Sequence, residues 1–146
     1  MKIRNMKLDD YDAVYAIWLS CPGMGLNDVD DSREGIERFL ARNPESCFVA
    51  EDGGEVVGVI LAGNDGRRGY IYHTAVQSGR QREGIATALV NAAMDALEHL
   101  GIRKAALVVF DRNEIGNAFG ENIGFAVRHD LVYRNRSIVP MKRIDT

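Results

Sequence analysis

The chain has 146 residues, 46% of them hydrophobic, which is enough for one sizeable core and leaves no room for a second full domain. Its 18 basic and 21 acidic residues are interspersed and leave a net charge of −3, so no basic stripe marks it as a partner of nucleic acid. The longest apolar stretch, Val56 to Ala62, is interrupted by Gly58 and is too short to cross a bilayer, and MKIRNMKLDD at the N-terminus lacks the layout of a signal peptide. Cys21 and Cys47 have no CxxC spacing, and His73, His99 and His129 have no metal-ligand spacing. The expectation is a soluble, metal-free protein of a reducing cytoplasm, with residues 1–146 forming one domain.

In chain order, a short strand at Lys2–Met6 leads to a helix capped by Asp9 or Asp10 and running through about Leu19, with Val14, Ile17 and Trp18 on its inner face. SCPGMGLND breaks it. A second helix opens near Ser32, carries Ile36, Phe39 and Leu40 as its apolar stripe, and ends before Pro44. Three strands follow at Cys47–Glu51, Glu55–Gly63 and Arg68–Val76, with Asp52-Gly53-Gly54 and Asn64-Asp65-Gly66 as the hairpin turns between them. From Arg82 to about Leu100 the apolar positions recur at helical spacing, and Gly101 stops the helix. KAALVVF reads as a buried strand, Asn113–Asn122 as a short helix, and Phe125 onward as a pair of strands. This order of elements predicts a mixed α/β domain without regular βαβ alternation.

QREGIAT, at residues 81–87, places Gly84 in the first turn of the longest helix, where glycine costs roughly 1 kcal/mol relative to alanine. Two explanations fit. Gly84 allows the helix to pack closely on the sheet, or it clears the way for an anion. Helix-start amides carry the positive end of the dipole, and a phosphate needs unobstructed backbone. Neither GxxxxGK[ST] nor GxGxxG is present, so the P-loop and Rossmann phosphate sites lack their residues.

TAV, then QREGIA in the pattern Q/R-x-x-G-x-G/A, then NEIGNAFGENIGF together resemble the GNAT superfamily of N-acetyltransferases, over essentially the whole chain. The resemblance implies a central, mostly antiparallel twisted sheet of about six or seven strands flanked by about four helices. It also implies acetyl-CoA as co-substrate. The backbone at Thr74, Ala75 and Val76 would face the acetyl and pantetheine portions. Gln81, Arg82, Glu83, Gly84, Ile85, Ala86 and Thr87 would wrap the pyrophosphate, and Asn113 would touch the pantetheine arm, although it also suits a helix cap.

Family members commonly carry a tyrosine acid five residues before the final phenylalanine, and here that position is Gly120. The fifth strand of the resemblance also lacks a carboxylate in LVVF, the nearest acid being Asp111. The groups left for proton transfer are Tyr70, Tyr72 and His73, with Tyr133 as a spatial substitute, each also explicable by packing. Asp28, Asp30, Asp31 and Glu34 would attract a cationic amine or simply serve the helix they precede. The reading is therefore direct acetyl transfer to a primary amine of a small molecule or protein, with a homodimer possible. A non-catalytic acyl-CoA-binding module is the alternative, and an interaction domain without cofactor a third.

Overall fold

The computed structural model describes residues 1–144. Strand β1 (Lys2–Asn5) is followed by a single 3-10 turn at Leu8–Asp10 and helices α1 (Tyr11–Ser20) and α2 (Arg33–Arg42). Then come β2 (Phe48–Asp52), β3 (Glu55–Ile60), β4 (Ala62–Asn64), β5 (Gly69–Ile71) and β6 (Ala75–Val76). Helix α3 (Ile85–His99), strand β7 (Ala105–Leu107) and helix α4 (Glu114–Asn122) complete the regular elements.

Two ladders form, in the orders β1-β2-β3-β6 and β4-β5-β7. All pairs are antiparallel except β5 with β7. The two long strands expected at Glu55–Gly63 and Arg68–Val76 are each divided between the ladders. The first changes ladder at Leu61 and the second across Tyr72–Thr74, where Tyr72 N–H still donates to Leu61 O at 2.8 Å before the backbone leaves for β3.

Between β2 and β3 the register slips by one residue, because Ala50 opposes Gly58 while Glu51 opposes Val56. Val57 is the extra residue of a β-bulge, so the alternation of faces resets there. On one side of the bulge Val56 faces α1 and α2; on the other Val59 and Leu61 do so, while Ile60 and Ala62 face α3. Each sheet face thus receives a continuous apolar layer. Trp18, Ile36, Val49 and Val59 lie in one core, and Ile60, Ile85, Leu89 and Leu97 in the other. A Cβ at Gly58 would stand 3.0 Å from Ile85 Cγ2 and 3.1 Å from Leu89 Cδ1, so the glycine lets α3 approach the sheet.

Local signals account for most boundaries. Ser32 Oγ accepts the Gly35 N–H at 3.0 Å and opens α2. Asp65 Oδ1 accepts the Arg67 and Arg68 amides at 2.8 Å and closes the second hairpin.

Asp10 caps the 3-10 turn rather than α1, accepting Lys7 N–H at 2.9 Å. It also takes both terminal nitrogens of Arg4, at 2.9 and 2.8 Å. Burial pushes the Asp10 carboxyl up, but the hydrogen bonds from Arg4 and Lys7 outweigh it and hold the group below its ordinary 3.8. A depressed folded-state pKa contributes stability above the unfolded value, and the contribution is lost as pH falls through the folded value. Asp10→Asn is expected to cost about 2 kcal/mol at neutral pH. In denaturant titrations the gap from wild type should close below about pH 4. An equal gap at all pH values would refute this account.

Three further expectations fail. KAALVVF, expected as a buried strand, is a strand only at Ala105–Leu107, where Ala106 is exposed and its neighbours are half-buried, because β7 is the terminal strand of its ladder and pairs on one side only; Val108 beyond it is exposed. The helix expected from Arg82 starts only at Ile85, because Gly84 is its N-cap at φ +80°. Gly84 therefore carries no helix-interior cost. The pair of strands expected from Phe125 onward is absent among the described residues, which there make only an isolated bridge between Asn27 and Arg143. A strand needs a partner edge. Strand β7, the terminal strand of its ladder, spans only three residues, and Val127, Leu131, Val132 and Ile138 are left exposed.

Candidate active site

The divided strands create the site. Strands β5 and β7 pair in parallel at Gly69–Ile71 and Ala105–Leu107, but beyond Ile71 the chain returns to β3 through β6 while the chain after Leu107 does not follow. The strands part, and a cavity of about 1300 Å³ opens between them. Tyr72, His73 and Thr74 line one side, Val108, Val109 and Phe110 the other.

At the mouth of the parting, Val59 opposes Ala75 and Gln77 N–H donates to Val57 O at 2.8 Å. By the alternation of an antiparallel ladder, Ala75 directs its backbone groups to β3 and Val76 directs its own away. Of the two amides, only that of Val76 is free to meet a ligand. Cys21 Sγ approaches the Val76 carbonyl at 3.5 Å.

Residues 81–84 form an exposed loop and Ile85, Ala86 and Thr87 the first turn of α3; none of them lines the cavity, and Ile85 has its side chain in the core while Ala86 is half-buried. Their backbone carries the signal. Arg82 at φ +66° is the one non-glycine residue in the left-handed region among those described, and Gly84 follows at φ +80°. Left-handed residues alternating with ordinary ones turn successive N–H groups to one side, the arrangement that holds anions. The first-turn amides of α3 add to it, and a Cβ at Gly84 would meet nothing within 4 Å. The residues present therefore fit a pyrophosphate. Glu83 carries the wrong charge, but Arg80 binds it at 3.1 Å and also binds Asp52 at 2.8 Å.

His73 is the best-positioned titratable group. Its Nε2 lies 2.6 Å from Asp31 Oδ1, and Asp31 is only 3% exposed. The second carboxylate oxygen accepts Asn27 N–H at 2.8 Å. With Nε2–H donated to Asp31, the unprotonated ring nitrogen is Nδ1, which is then a proton acceptor. Trp18 packs edge-to-face against the imidazole, with centroids 5.0 Å apart. The Asp31 partnership was missed in the sequence because 42 residues separate the pair.

Tyr72 lines the cavity, stacks on Tyr70 at 5.1 Å and meets Phe39 edge-on. Burial raises its phenol above the ordinary value, as do Tyr70, Tyr133 and Asp30, so it stays protonated at neutral pH. Tyr70 does not line the cavity; Tyr133 does. Gly120 also faces it, and a Cβ there would meet nothing within 4 Å. Asn113 lines the cavity while Oδ1 caps α4 by accepting Gly116 N–H at 2.9 Å, so the cap is present and Nδ2 faces Gly23. Of the four acids, Asp30 and Asp31 line the cavity; Asp28 instead accepts Lys142 N–H. Cys47 is fully buried, and burial pushes its thiol up to about 11.

The family model for the acetyltransferase (GNAT) family matches residues 11–125. The chain belongs to the GNAT acetyltransferase family. An acetyltransferase of Photorhabdus laumondii is 35% identical over 141 residues, covering 95% of this chain and 97% of that protein. An acetyltransferase of Pectobacterium atrosepticum is 36% identical over 114 residues, covering 78% and 79%. Ard1 from Thermoplasma volcanium superposes with a TM-score of 0.74 at 25% identity, covering 87% of this chain and 83% of its own. The aminoglycoside acetyltransferase AAC(6')-Iy, solved with a CoA bisubstrate analogue, shares the fold at a TM-score of 0.69 and 20% identity, covering 93% and 98%. As a GNAT enzyme the chain is a transferase with a mixed α/β fold, and no helix among the described residues is long and apolar enough to cross a membrane.

Proposed function

We propose that the chain, acting as one domain, transfers an acetyl group from acetyl-CoA to a primary amine. The observation that carries this reading is the parting of the strands, which opens a cavity lined by the His73–Asp31 pair and Thr74, with the free backbone edge of Val76 two residues further along the chain and the anion-fitting loop outside the cavity at the start of α3. The loop at Gln81–Gly84 together with the first turn of α3 through Thr87 would hold the pyrophosphate. Thr74, Val76 and Asn113 would flank the pantetheine arm.

In the proposed step, the amine lone pair attacks the thioester carbonyl and forms the C–N bond. The nitrogen's surplus proton passes to His73 Nδ1. The carbonyl electrons return from the oxyanion, which the Val76 N–H would stabilise, and the C–S bond breaks. CoA leaves with the sulfur pair and takes a proton from the Tyr72 hydroxyl, or from Tyr133 in its place. Orientation supplies much of the rate, roughly 7–11 kcal/mol in the best intramolecular cases, so the missing acid at Gly120 is tolerable.

A reducing cytoplasmic setting fits the two free thiols. A homodimer fits the apolar residues exposed after Phe125, such as Val132 at 77%. No role on nucleic acid or at a membrane is part of the proposal.

Acetyl-CoA titration by calorimetry should give micromolar affinity, and a panel of amines should release CoA in the presence of the enzyme. Light scattering on the same preparation reads the dimer. Binding without turnover for any amine would instead favour the non-catalytic module, and no binding by folded protein would remove the cofactor altogether.

A further inference from the structure

The cavity is lined by two arginines that no carboxylate among the described residues neutralises. Arg38 and Arg42 stand one turn apart on α2 and both line the cavity. Among the described residues, neither has a carboxylate within 4.0 Å, and of the arginines without such a partner these two alone line the cavity. The lone Arg42 would be accounted for by the C-terminal end of the α2 dipole; Arg38, a turn earlier, is not.

These arginines are remote from the loop fitted to a pyrophosphate. That loop adjoins the start of β3, where Gln77 Nε2 bonds Glu55 and Arg80 bonds Asp52. The C-terminal end of α2 adjoins β4. Asn64 N–H donates to Asn43 Oδ1 at 3.2 Å, and a Cβ on Gly63 would strike Phe39 Cζ at 2.8 Å. From Glu55 to Gly63 an extended chain covers about 25 Å. An anion held by Arg38 and Arg42 therefore belongs to the other substrate.

The opposite charge lies toward the start of α2. Asp30 and Asp31 line the same cavity, with Asp31 engaged by His73 and Asp30 by Asn27 Nδ2 at 3.2 Å. By helical rise, Arg38 and Arg42 lie about 7.5 and 13.5 Å along α2 from its first residue, Arg33, which follows Asp31 by two positions. The wall is thus acidic where an amine would meet His73 and basic further along, with the aromatic edge of Phe39 and Tyr72 between.

We infer that the acceptor is a primary amine bearing a carboxylate or phosphate several bonds away, the anion held by Arg38 and Arg42. This rests on the acetyltransferase reading above. It selects against polycationic amines, which would bring positive charge to a wall already positive.

The test compares four acceptors of one chain length: ω-aminohexanoate, aminohexyl phosphate, hexylamine and hexamethylenediamine. The wild type is set against the Arg38→Ala, Arg42→Ala double variant, both exposed positions whose truncation spares the core. In CoA-release assays an anionic amine should exceed hexylamine in kcat/KM by about tenfold or more, and the diamine should be poorest. The double variant should lose that advantage through KM, with hexylamine and acetyl-CoA affinity unchanged. Preference between the first two compounds assigns the carboxylate or the phosphate.

Calorimetry of the four amines against the protein with CoA bound reads the same selectivity without turnover. Failure of acetyl transfer is thereby separated from failure of this inference. Equal or undetectable binding of all four, preference for the diamine, or the same loss on every amine in the double variant would overturn it.

Discussion

Gly84→Glu is expected to abolish measurable acetyl-CoA binding, a loss of more than about 100-fold, while the chain stays folded. The substitution puts a carboxylate where a pyrophosphate would sit, in open space that no protein atom occupies within 4 Å. It also forces a side chain into φ +80°, which costs on the order of 1–2 kcal/mol and a few degrees of thermal stability. Gly84→Ala carries the same backbone strain without the charge, so it separates the two effects. Equal destabilisation with binding lost only in the glutamate variant identifies the anion site. Wild-type affinity in Gly84→Glu would mean that the glycine serves the turn alone.

His73→Gln should lower kcat by about 100- to 10,000-fold, the range of a positioned general base, with acetyl-CoA affinity unchanged. Glutamine keeps an N–H for Asp31 Oδ1, so the buried carboxylate is not left without a donor and the fold is retained. Asp31 acts one step removed. In the proposed step it would fix which imidazole nitrogen carries the proton, and Asp31→Asn should cost about 10- to 100-fold in kcat. Because both residues act through one nitrogen, adding Asp31→Asn to His73→Gln should cost little more. Full additivity, or a wild-type kcat in His73→Gln, would remove the pair from the mechanism and leave catalysis to orientation and the backbone edge.

The candidate site was only partly legible in the chain. Gly84, Tyr72 and His73 stood out because their residue types or motif are informative on their own. Asp31 was visible only as one of several acids ahead of a helix, since a pairing across 42 residues leaves no local trace. Arg38 and Arg42 lie off the apolar stripe of α2, and their residue type alone marks no site. Their significance depends on which wall they line and on the absence of partner carboxylates. In the fold, the hairpin turns and the α2 cap were legible because they are made within four residues. The final strands were not, because the alternation after Phe125 states a capacity to pair and not a partner.

The amino-acid order by itself determined the family, the order of the four helices and of the strand segments up to α4, the turns at Gly53-Gly54 and Asp65-Gly66, and the glycine loop ahead of α3. These depend on contacts between near neighbours and on backbone freedom at single residues. Tertiary structure decided where the two long strands break, how the bulge at Val57 assigns side chains to the two cores, which backbone edge is left open, and which nitrogen of His73 meets Asp31. Those outcomes depend on strands choosing partners across the sheet. The free energy of such a choice comes from burial and pairing between distant segments, which local sequence does not encode.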